Sequence, residues 1–243
     1  MHFSQVMQQF GANKPDSLII EVPPAWGQGR AVFGGMAAAL AMAHLLPLIP
    51  QNMPLRSVSV SFVAPLNTGQ ATVQRRILRQ GKSVIQAQVN IEQDGQVALV
   101  LLASFGAARA SAHQLNADTA PQWPDANALT LPKQGPVPEF TTHFDYRIAH
   151  GQLPFSASPL RQLGGDIRMA GNESSQAGVL ELLALVDAWP PVSLTRLDQP
   201  APASSLTWTL EFIAHDLPFN NTDWWRYLAE IDYGADGYHH IAA

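Results

Sequence analysis

The sequence predicts an α+β protein in which one unit, an antiparallel sheet around a single buried helix, is written twice. Three observations carry this. The run Met36 to Leu46 has helix propensity throughout and almost no polar face. The segments after it switch to a period of two. The same order of strand, helix, proline and strand then restarts after residue 139. The expected boundaries are 1–106 for the first unit, 107–139 for a linker and 140–243 for the second unit.

Ser17 to Val22 is β-rich and reads as a strand leading into Pro23, Pro24 and a loop. Phe33-Gly34-Gly35 opens the helix, and Pro47 and Pro50 stop it. Val58, Val60 and Phe62 alternate with Ser57, Ser59 and Ser61, the mark of a half-buried strand. Ala71 to Arg79 is the next strand, and Val84 to Glu92 follows the turn at Gly81-Lys82. Asp94-Gly95 is a strong hairpin signal returning the chain through Val97 to Phe105. No helices alternate with these later strands, so a parallel βαβ fold is excluded.

The linker is rich in Ala, Pro, Gln and Asn. Beyond it, Phe140 to Ile148 reads as a strand, and Gly164-Gly165 precede another short one. Ser174 or Ser175 is the expected N-cap of a helix from about Gln176 to Ala188, ended by Pro190-Pro191. Leu206 to Ile213 alternates as Val58 to Phe62 did, Trp224 to Tyr233 is a further strand, and Gly237 opens the last. Set against the first copy, the second lacks its closing hairpin.

Composition narrows the function classes. Hydrophobic residues make up 47% and charged residues 14%, which implies extensive burial in a core or a subunit interface. The net charge of −5, without a basic run, argues against nucleic acid. The chain has no cysteine, so disulfides, thiolate zinc sites and a cysteine nucleophile are excluded. No Gly-x-Ser-x-Gly elbow is present, and the adjacent His239 and His240 would point to opposite faces of a strand, so neither a serine triad nor a metal site is supported. No cofactor is expected. The opening residues lack the features of a secretory signal, and Met36 to Ile49 is too short to span a bilayer, so a soluble cytoplasmic protein is expected.

One carboxylate stands out. Val179, Leu182, Leu183 and Val186 form an i, i+3, i+4, i+7 stripe, and Asp187 is its next step. Burial there, and the negative end of the helix dipole, both favour the neutral acid, the direction a general base working near neutral pH needs. The competing reading is that Asp187 bends out to cap the Pro-Pro turn or to pair with an arginine. In the first unit His44 takes the equivalent position, either as a second polar group or as a hydrogen-bonded core histidine. Gly34 and Gly35 either expose amides to a carbonyl or phosphate, or allow close packing of the helix entry.

The runs RAVFGGMAAALAMA, SFVAPLNTG, LRQGKSVIQAQVNIEQDG and ASFG resemble the N-terminal half of type II acyl-CoA thioesterases. LLALVDAWPP, SLTWTLEF and PFNNTDWWRY are similar to their C-terminal half. The resemblance implies a double hotdog that hydrolyses an acyl-CoA to free acid and CoA, with the acyl chain in an apolar tunnel. It implies catalytic roles for Asp187 and for a strand hydroxyl, Thr207, with Thr209 or Ser205 as alternatives. It also implies a role in lipid metabolism and a homodimer or larger oligomer, while Gly34 and Gly35, from their place at a helix start, and His44, from its alignment with Asp187, are the candidate substrate contacts. The family's glutamine on a late strand has no matching position, and its polar residue after Gly-Gly is Met36. An acyl-CoA-binding or assembly protein without catalysis is the alternative.

Overall fold

In the computed structural model the described residues are 2–123, 128–135, 137–171, 175–215 and 219–243. Contacts divide the chain into two compact units, Met1–Ala117 with Gly178–Ala184 and Ser205–Pro218, and Asp118–Ala177 with Leu185–Ser204 and Phe219–Ala243.

The first unit begins with α1 (Phe3–Met7) and β1 (Ser17–Val22), then the short ladder β2 (Gly27–Gln28) and β3 (Ala31–Val32), and reaches the long helix α2 (Gly34–Leu45). Strands β4 (Leu55–Phe62), β5 (Gly69–Gln80), β6 (Val84–Gln93) and β7 (Gln96–Gly106) follow. Every residue of α2 from Gly35 to Leu45 is buried, which is why the helix carries no polar face. Ile85, Ala87, Val89 and Ile91 of β6 and Leu99, Leu101, Ala103 and Phe105 of β7 are buried at alternate positions. Asp94 (φ 51°) and Gly95 (φ 75°) are both left-handed, the type I′ turn expected of an Asp-Gly hairpin.

The sheet has six strands in the order β1-β5-β6-β7-β4-β10, where β10 (Thr207–Glu211) is the core of the Leu206 to Ile213 segment. Its pairing with β4 is antiparallel, with Thr207 opposite Ser61 and Thr209 opposite Ser59.

In the second unit the sheet order is β12-β11-β9-β8, formed by β8 (Phe144–His150), β9 (Gln162–Met169), β11 (Trp225–Ala235) and β12 (Tyr238–Ala242). The strand expected from Phe140 starts four residues late. Residues Glu139–His143 form a 3₁₀ turn instead, in which the Thr141 and Thr142 hydroxyls donate to the Pro138 and Glu139 carbonyls at 2.8 and 2.7 Å. Such local side-chain bonds compete with a strand ladder. Gly164 and Gly165 lie within β9 rather than ahead of it. The β11–β12 hairpin turns on Asp236 (φ 53°) and Gly237 (φ 80°), repeating the Asp94-Gly95 conformation.

Helix α3 (Val179–Asp187) starts later than expected. Ser174 lies outside the described residues. The Glu181 carboxylate accepts the Gly178 N–H at 2.9 Å, half of a capping box, so the acid three residues into the helix does the capping. The consecutive residues Leu183, Ala184 and Leu185 are buried, whereas Val179, Leu182 and Val186 are only partly so. Neighbours at about 100° intervals around the helix axis show that α3 is packed on more than one side, not along one stripe. A short helix α4 (Val192–Thr195) follows Pro191. Among the described residues no helix is long and apolar enough to cross a membrane.

Candidate active site

Asp187 is the last residue of α3 and is partly buried. The carbonyls at a helix C-terminus lack intrahelical partners. The Tyr146 hydroxyl, arriving from β8, donates to the Ala188 carbonyl at 2.9 Å and satisfies one of the carbonyls just past this helix end. The Trp189 ring stacks on Tyr227 of β11 with centroids 4.9 Å apart and planes 9° from parallel. It also meets Tyr146 edge-on at 5.9 Å. Burial, and then the charge of Asp187, push the Tyr146 phenol well above its ordinary value. The same two causes raise Tyr227. Both phenols therefore remain protonated near neutral pH, and Tyr146 gives its one hydroxyl proton to the Ala188 carbonyl.

The sheet register explains this placement. Tyr146, Gly165 and Tyr227 share one face with buried Phe144, Leu163, Ile167, Ala229 and Ile231. Gly165 lies opposite Tyr227 on one side and Ile148 on the other, and contributes no side chain to that face. On the other face Trp123 covers Gly164, where a Cβ would come within 3.1 Å of its ring.

The remaining sequence-derived candidates belong to the first unit. Gly34 starts α2, and Gly35 makes a close approach to α3: a Cβ there would come within 3.0 Å of the Leu183 carbonyl oxygen and the Ala184 Cα. Met36 is completely buried. Thr207 and Thr209 share a face with Ser61 and Ser59, and the Thr209 hydroxyl lies 3.2 Å from that of Ser59. Ser205 and Thr207 are exposed.

Residues 22–106 match the family model of the acyl-CoA thioesterase N-terminal domain, and residues 114–243 match that of the C-terminal domain. The chain belongs to the acyl-CoA thioesterase family. No curated protein matches it. Among solved structures, a hot dog protein of unknown function from Alicyclobacillus acidocaldarius is similar with a TM-score of 0.79 at 21% identity, covering 94% of this chain and 86% of that one. An acyl-CoA thioesterase II from Mycobacterium marinum is similar with a TM-score of 0.65 at 18% identity, covering 95% and 86%. The α+β double hotdog expected from the sequence is the fold of this thioesterase-family chain.

His44 is completely buried in the first unit. Its Nε2 lies 3.1 Å from the Asp16 carbonyl, so the proton sits on Nε2. The Arg75 guanidinium donates to the His44 and Lys14 carbonyls, each at 2.6 Å, and pairs with the Asp16 carboxylate at 3.1 Å. Burial lowers the imidazole pKa below its ordinary 6.5; the Asp16 carbonyl opposes this and Arg75 adds to it. A base whose folded pKa is depressed binds fewer protons folded than unfolded, so stability falls as pH drops below about 6.5. We expect the urea midpoint to fall between about pH 7.5 and about pH 5.5, and the fall to shrink in His44→Gln. An identical fall in both proteins would remove His44 as its source.

Tyr146 and Tyr227 were missing from the sequence-derived site. Tyr146 is in phase with inward-facing Phe144 and Ile148, a pattern that marks a core aromatic and not a site residue.

Proposed function

We propose that this protein hydrolyses an acyl-CoA thioester to a free acid and CoA, with Asp187 as the general base. The observation that supports it best is a carboxylate at a helix C-terminus whose charge is felt by two buried, protonated phenols, Tyr146 and Tyr227. Asp187 takes a proton from water as its oxygen bonds to the thioester carbonyl carbon. Collapse of the tetrahedral intermediate then breaks the C–S bond, and the proton passes to the CoA thiolate. Amides at Gly34 and Gly35 would polarise the carbonyl, His44 would border the acyl-CoA, and Thr207 would help hold the water. In the same reading the protein works in the cytoplasm, in lipid metabolism, as a homodimer or larger oligomer.

The test is release of CoA from a panel of acyl-CoAs by the full chain. Turnover is the expected result. A folded protein that binds acyl-CoA and releases none would overturn the reading in favour of a binding or assembly protein. The hydroxyl assignment has its own check. Thr209 is engaged by Ser59, so Thr207→Val should lower kcat about tenfold while Thr209→Val leaves it within about twofold. The reverse pattern would move the role to Thr209, and two unaffected variants would leave Ser205 to be replaced next.

A further inference from the structure

On the face of the second sheet opposite Tyr146, the chain forms an open cleft of about 330 Å³ between residues 130–133 and the strands β8 and β9. Lys133, Arg147 and Arg168 line it, and Asp145 is the carboxylate among them. The Asp145 carboxylate receives Lys133 at 2.5 Å and Arg168 at 3.1 Å. Partial burial alone would push Asp145 up, but the Lys133 ammonium and then the Arg168 guanidinium hold it below the usual carboxylate range. Asp166, the residue opposite Arg147 on β9, is paired with Arg226 at 3.0 Å. One carboxylate thus balances one of three cations, and Arg147 has no carboxylate partner among the described residues.

The cations are also held in place. The Arg147 guanidinium lies 4.0 Å from the centroid of the Trp224 ring, and that of Arg168 lies 4.5 Å from it. Cation–π contact fixes both groups beside one indole while leaving their N–H edges able to donate. Holding like charges together costs electrostatic energy, which a dianion in the cleft would offset. Planar guanidinium forks suit the oxygen geometry of phosphate.

We propose that the Lys133–Arg147–Arg168 cleft binds a phosphate group, and that its physiological source is the 3′-phosphorylated nucleotide end of the acyl-CoA. The nucleotide source rests on the hydrolysis reading above; the phosphate site rests on the cleft alone.

The experiment is calorimetric titration of adenosine 3′,5′-bisphosphate, and separately of inorganic phosphate, into the full chain and into its Arg147→Gln and Lys133→Gln variants. Arg147 and Lys133 are exposed, so both variants should fold. Removing one charge-assisted contact should weaken bisphosphate binding about tenfold. Bisphosphate binding tighter than inorganic phosphate supports the nucleotide source. Equal affinities, both lost in the variants, support a phosphate site filled from free phosphate. No binding of either probe, or variants that bind as the wild type does, overturns the proposal. These readouts need no turnover, so failure of the hydrolysis reading leaves them intact. Where turnover is found, Arg147→Gln should raise KM for acyl-CoA about tenfold at unchanged kcat. The corresponding acyl-pantetheine, which lacks the nucleotide, should be hydrolysed as by the wild type.

Discussion

Asp187→Asn is expected to lower kcat for acyl-CoA hydrolysis by about a hundredfold or more, because loss of a positioned general base costs on that order. The amide has the size of the carboxylate and keeps a hydrogen-bond acceptor near the Tyr146 and Tyr227 phenols, so the packing around it should hold. It cannot take a proton from water. Stability should be largely retained, because the amide keeps the shape of the carboxylate and relieves a charge that opposes the macrodipole in the last turn of the helix. Lost activity together with retained or improved stability is the signature of a residue kept for chemistry. A capping or ion-pairing role would instead lower stability and spare turnover. Equal kcat in a folded variant would end the case for Asp187.

The opposing fates of different predictions have a physical origin. Helix α2 was legible because a helix buried on every side must be apolar all round, and that leaves no ambiguity of face. The β6–β7 hairpin was legible because Asp94-Gly95 supplies the two left-handed residues that the turn demands. Strand β10 was legible as a strand but not in its partner, since a period of two encodes which face is buried and not which neighbour supplies the ladder. The 3₁₀ turn at Glu139–His143 was hidden because Thr141 and Thr142 favour strands by propensity, and only their bonds to local carbonyls reveal the turn.

The candidate site divides in the same way. Asp187 was legible as a charge in an apolar helix, a local conflict that invites a functional explanation. Tyr146 was not, because an inward aromatic on a strand looks like any core residue. Its hydroxyl partner is the Ala188 carbonyl, a group 42 positions away that no local pattern names. The acidic residue was visible from a misplaced charge, whereas its phenolic neighbours come from long-range register.

Gly165→Ala is expected to be the most damaging small substitution in the second unit. Gly165 has φ +153°, a conformation L-residues rarely adopt, and a Cβ there would lie 1.9 Å from the Arg147 carbonyl oxygen. That oxygen belongs to the backbone of the paired strand β8, so no side-chain rotation relieves the clash. The strands must separate, and with them the face that carries Tyr146 and Tyr227. A loss on the order of 4 kcal/mol or more is expected, in the range reserved for a named steric failure. Gly237→Ala supplies the comparison. It also sits at positive φ, +80°, but nothing lies within 4 Å of its Cβ position, so only backbone strain of about 1–2 kcal/mol applies. Urea titration followed by tryptophan fluorescence reports on both, since Trp189 and Trp225 lie in the same unit. Comparable losses in the two variants would show that close strand approach is not what requires glycine at 165. A much larger loss at 165 would tie the close approach of β8 and β9, and with it the face that carries Tyr146 and Tyr227, to a single absent side chain.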